Sequence, residues 1–84
     1  MTNNKPALKL TDGRISATVW RNPSPDPKGQ KVFYSVQISR AYQDEHGNWK
    51  DSDRFSGAEL LRVARLAEKA YDAASELRKT DSDA

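Results

Sequence analysis

The chain has 84 residues, of which 31% are charged and 36% hydrophobic, with a net charge of +2 and no cysteine. That length fits one domain with a small core, and the missing thiols exclude disulfides, thiolate metal sites and cysteine nucleophiles. No apolar run reaches the roughly 20 residues of a membrane span, and the start MTNNKPALK lacks the apolar segment of a secretory signal, so a cytoplasmic protein is expected.

Residues 1–6 are polar and expected to be disordered, and a folded domain is expected over 7–78. Ala7 to Leu10 reads as a short strand closed by the turn Thr11-Asp12-Gly13. Arg14 to Asn22 alternates with period two, Ile15, Ala17 and Val19 on one face and Ser16, Thr18 and Trp20 on the other, which marks a second strand. The Pro-rich loop at 23–30 carries three prolines and a glycine in eight residues and should hold no regular structure.

Lys31 to Asp44 is the longest strand. Val32, Tyr34, Val36, Ile38, Arg40 and Tyr42 share one face, while Lys31, Phe33, Ser35, Gln37 and Ser39 share the other. A turn over Asp44 to Asn48 needs positive φ at Gly47 or Asn48. Trp49 to Phe55 returns as an edge or bent strand, interrupted by Asp51 and Asp53. Ser56-Gly57-Ala58-Glu59 has the spacing of a capping box, and apolar residues then recur at helical spacing to about Arg78. The tail at 79–84 is expected to be disordered. The fold class is therefore α+β, an antiparallel sheet of three to four strands followed by one C-terminal helix, in the order β-β-β-β-α. The stripe Leu60, Ala64, Ala67, Tyr71 is expected to pack on Ile15, Val19, Tyr34, Val36 and Ile38. A core this small would gain from forming a homodimer.

An enzyme is not expected. His46 is the only histidine and lies in a turn between Glu45 and Gly47. The acids Asp44, Glu45, Asp51 and Asp53 lack the ordered spacing of a calcium loop, and the scattered glycines form no phosphate cradle. No cofactor and no metal are implied.

The aromatic and basic residues point elsewhere. Residues 1–56 hold nine Lys and Arg against six Asp and Glu, whereas the helical part is slightly acidic, so the positive surplus lies with the sheet. Trp20, Phe33 and either Trp49 or Phe55 fall opposite the apolar stripes, where a ring stacks an unpaired base. Arg14, Arg21, Lys31, Arg40, Lys50 and Arg54 lie on strands or at their ends, within reach of a phosphate backbone. The bland alternative is that these aromatics close a second core or a dimer contact. The expected function is single-stranded DNA or RNA binding in replication, recombination or transcription. The competing expectation is a small protein-interaction or inhibitor module, which the acids inside the last strand favour because they repel phosphates.

The run from Val36 to Leu60 resembles the central segment of the transcriptional positive-cofactor-four family of single-stranded DNA-binding coactivators. Ile38, Arg40, Tyr42, Asp44, Gly47, Lys50, Arg54 and Glu59-Leu60 carry the resemblance. It implies a curved antiparallel sheet, one helix that forms the homodimer contact, and DNA binding on the sheet. It also implies backbone contacts from Arg40, Lys50 and Arg54 and stacking on Trp49. The chain departs from the family where Asp51, Ser52 and Asp53 dilute its basic strand, and in the Pro-rich insertion from Pro23 to Pro27.

Overall fold

Alternation of apolar and polar residues gives the chain four strands, which precede the helix in the sequence. The computed structural model describes residues 6–23 and 32–83. Strands β1 (Pro6–Asp12), β2 (Ile15–Pro23), β3 (Val32–Gln43) and β4 (Trp49–Ser52) are followed by a 3₁₀ turn (Gly57–Glu59) and the helix α1 (Leu60–Asp83). The four strands form one antiparallel sheet in sequence order, each paired with its neighbours. The expected α+β architecture is therefore what the chain adopts. The disorder expected over 1–6 stops short of Pro6, where β1 begins, and the loop expected over 23–30 stops short of Pro23, which ends β2. Residues 1–5, 24–30 and Lys31 lie outside the described residues.

The period of two sorts side chains onto two faces. Ile15, Ala17 and Val19 of β2 are buried under α1, together with Leu66 and Ala70 from the helix. Their cross-strand partners Arg40, Ile38 and Val36 share that helix side, as do Leu8 and Leu10 of β1. Leu10, Tyr34, Ile38, Val63, Ala74 and Leu77 pack around this centre.

The helix is rotated by about a quarter turn from the expected stripe, given 3.6 residues per turn. Val63, Leu66, Ala70 and Ala74 meet the sheet, while Leu60, Ala64 and Ala67 are exposed and Tyr71 is 71% exposed. Leu61 is 74% exposed. Leu66 and Ala70 share the buried centre with Ile15, Ala17 and Val19, and Val63 packs against it. Val36, expected in the core, is 40% exposed and lines an open groove with Ala67 and Tyr71 of the helix. The helix also continues past Arg78 to Asp83.

Two further differences concern the last strand. β4 stops at Ser52, whose hydroxyl accepts the Arg54 N–H at 3.0 Å and turns the chain out of the sheet. Alternation ends there, so Phe55 swings to the helix side and packs against the core. Phe55 is thereby removed from the solvent-side aromatics.

Candidate nucleic-acid interface

The sheet face turned away from α1 is polar with aromatics at its two ends. Across β2 and β3 the pairs Ser16–Ser39, Thr18–Gln37 and Trp20–Ser35 place hydroxyls and an amide on this outer face. Phe33 stands opposite Asn22, whose side-chain amide donates to Ser35 Oγ at 3.0 Å. Phe33 is exposed and Trp20 half-buried, so one end of the face presents two rings.

The other end is built by β4. Trp49 pairs with Gln43, points outward and is 58% exposed. The Arg14 guanidinium lies over its ring, 5.3 Å from the centroid. Arg14 reaches there from the β1–β2 turn, where Gly13 adopts φ +63° and the Arg14 carbonyl accepts the Ala41 N–H at 2.8 Å. Ser35 and Gln43, the partners of Trp20 and Trp49, are eight positions apart on β3. At roughly 3.3 Å per residue that separates the two aromatic ends by about 26 Å. The two sets of rings are therefore separate along the face.

Trp49 owes its direction to the turn before it. Asp44 Oδ1 accepts the N–H groups of His46 and Asn48, each at 2.9 Å, and Gly47 takes φ +81°. These bonds, that from Asn48 first, hold the Asp44 carboxyl below its ordinary value. Lys50 Nζ lies 3.5 Å from Asp44 Oδ2.

The expected site residues thus divide between two faces. Arg14, Trp20, Phe33 and Trp49 come together on the outer face. Arg40 lies on the helix side, where its Nε donates to the Arg54 carbonyl at 3.2 Å and sits 3.6 Å from Glu59 Oε1. Its guanidinium is also 5.8 Å from the Tyr42 ring centroid. Glu59 Oε1 in turn accepts the Ser56 N–H at 2.8 Å, so Arg40 joins β3 to the start of the helix. That backbone bond is the main reason the Glu59 carboxyl is held below the ordinary glutamate range. Lys50 pairs with Tyr42 and also lies on the helix side, exposed. Arg21, paired with Tyr34, is exposed on the helix side as well, and Arg54 is exposed in the loop after β4. Lys31 lies outside the described residues.

Lys9 was not among the expected residues, yet its pairing with Thr18 puts it on the outer face of β1. Alternation with Leu8 and Leu10 was the available signal. Asp51, opposite Ala41, is the acid on the same face. Among the described residues no group of three or more His, Asp or Glu side chains gathers as a metal ion would require. None of the helices described is long and apolar enough to cross a membrane. Compared with protein-family models, curated proteins and solved structures, the chain finds no match.

Proposed function

We propose that this protein binds single-stranded DNA or RNA on the outer sheet face, without catalysis, as a homodimer serving replication, recombination or transcription. The observation that carries the reading is the pairing of exposed Trp49 with Arg14 at one end of a hydroxyl-lined face and Trp20 with Phe33 at the other. Bases stack on such rings at about 1–3 kcal/mol each and tolerate any sequence. The Ser, Thr and Gln side chains between them offer donors and acceptors to sugar, phosphate and base edges. Arg14 and Lys9 supply positive charge on the same side, while Arg21 and Lys50 are exposed on the helix side and Arg54 in the loop after β4. The segment resemblance to single-stranded DNA-binding coactivators supports the same class of ligand, although Arg40 and Lys50, which it implies as backbone contacts, lie on the helix side.

The test is a fluorescence-anisotropy titration of a labelled unstructured oligonucleotide over a salt series, with a duplex control. Binding should favour the single strand and weaken with salt at a slope of about −0.7 per phosphate neutralised. No binding at low salt removes the proposal.

A second reading, a protein-interaction module, is favoured by an apolar groove on the other side of the sheet. It has a volume of about 450 Å³ and lies between β3 and the exposed stripe of α1. Capture of protein partners that persist after nuclease treatment, with no oligonucleotide binding, would select that reading.

A further inference from the structure

Strand β3 is twelve residues long, but β4 covers only four of them, pairing Arg40 to Gln43. Over Val32–Ser39 the side of β3 away from β2 has no strand partner among the described residues. The hydrogen-bond parity of that edge follows from one contact. Ala41 N–H donates to Arg14 O, and the β2–β3 register continues from it in step, so Phe33, Ser35, Gln37 and Ser39 direct their main-chain groups toward β2. Val36 and Ile38 direct theirs outward, to the open edge.

Strand edges are ordinarily blunted by charge, proline or shortness. β1 carries Pro6, Lys9 and Asp12, and β4 is short and carries Lys50 and Asp51. The open stretch of β3, VFYSVQIS, has no charge, no proline and no glycine. Beside it lies the apolar groove, lined by Val36, Ile38, Ala67, Tyr71 and Ala74 among others.

We infer that this edge is the contact with a second copy of the chain, whose β3 adds antiparallel to the first about a two-fold axis at Ser35 or Val36. Parity excludes an axis lying between two residues, and the open stretch Val32–Ser39 is centred between Ser35 and Val36, so these two residues are the axes that pair it most fully. Outward main-chain groups belong to even-numbered residues, so an antiparallel partner must set even against even. With the axis at Ser35, Tyr34 meets Val36 of the second copy. With the axis at Val36, Val36 meets itself and Tyr34 meets Ile38. In both, apolar side chains face apolar side chains over the groove, and the two outer faces join into one surface. The paired strand stretches carry no charge of their own, and Arg78 of the helix is the charged residue lining the groove. A two-fold interface of this kind is self-complementary and closed, so it ends at two copies. Pairing also covers Val36 and part of Tyr71, which the single chain leaves to water. The result is one sheet of eight strands whose outer face carries two sets of Trp20, Phe33 and Trp49.

This deepens the homodimer part of the reading above and is tested without nucleic acid. A monomer therefore overturns the pairing and the homodimer part of the reading, and oligonucleotide binding is judged separately. Sedimentation equilibrium of the full chain should give twice the 9.4 kDa chain mass. Val36→Lys should return it to a single chain with the circular dichroism and cooperative melt of a folded domain. Because the chain has no cysteine, single-cysteine variants locate the axis even if Val36→Lys does not fold. Under mild oxidation Ser35→Cys or Val36→Cys should form a disulfide-linked dimer, since directly opposed strand residues fall within bridging distance. Thr18→Cys, on β2, should not. A wild-type protein that sediments as a single chain at every concentration overturns the inference. So does a dimer that cross-links through Leu61→Cys on the helix and not through β3.

Discussion

The Arg14 guanidinium stacks over the Trp49 ring at 5.3 Å and so joins the first turn of the sheet to its last strand, across β3. The contact leaves Trp49 more than half exposed, so its ring is held in place without being buried. Trp49→Ala should weaken binding of an unstructured oligonucleotide by about 1–3 kcal/mol while leaving the melt nearly unchanged. Arg14→Ala removes an exposed cation–π contact worth about 0.5–1 kcal/mol and should lower both the affinity and its salt slope. Paired anisotropy titrations and thermal melts check both. An early melt with normal binding would assign Trp49 to structure alone.

The rotation of α1 predicts opposite outcomes for two leucines of one helix. Leu66 is buried at the centre of the core, so Leu66→Ala should cost about 2–5 kcal/mol in urea unfolding. Leu61 faces solvent, so Leu61→Ala should stay within about 0.5 kcal/mol of wild type. Equal losses at the two positions would contradict the helix phase.

That phase was the part of the fold hardest to read in the sequence. The strands were legible because Ile15-Ala17-Val19 and Val32 to Tyr42 alternate cleanly, and the helix start because Ser56 and Glu59 have capping spacing. The helix itself carries Leu60, Leu61, Val63, Leu66 and Tyr71, more apolar surface than one sheet face covers, and 3.6-residue spacing alone permits two stripes. Which of them is buried depends on how the helix packs on the sheet, and that is a tertiary property. The site was legible in part for a similar reason. Trp20 and Phe33 follow from alternation within their strands, whereas Arg14 over Trp49 depends on the registers of β2, β3 and β4 together. Arg40 was legible as a strand residue on the apolar face, but its engagement with Glu59 and the Arg54 carbonyl requires the chain to turn after Ser52.

Acid should loosen the domain through two carboxylates. Glu59 and Asp44 both have folded-state pKa values below their ordinary ones, Glu59 chiefly through the Ser56 N–H and Asp44 chiefly through the Asn48 N–H. A depressed carboxyl adds stability above its unfolded value, about 4.3 for Glu and 3.9 for Asp, and loses it as pH falls through the folded value. Stability from these groups should therefore be complete at neutral pH and decline below about pH 4. Urea midpoints measured against pH should fall less steeply on the acid side in the Glu59→Gln, Asp44→Asn double variant than in wild type. An unchanged acid slope would show that these bonds do not contribute.

If the outer sheet face holds single-stranded nucleic acid, the two tryptophan indole N–H groups report on it directly. In a nitrogen–proton correlation spectrum of the labelled full chain, an unstructured oligonucleotide is added to saturation. The Trp20 and Trp49 indole signals and the amides of Phe33, Gln37 and Ser39 should move together, while Leu61 and Glu68 on the exposed side of α1 stay in place. Saturation with both indoles unmoved, or with shifts confined to the helix, would contradict the account.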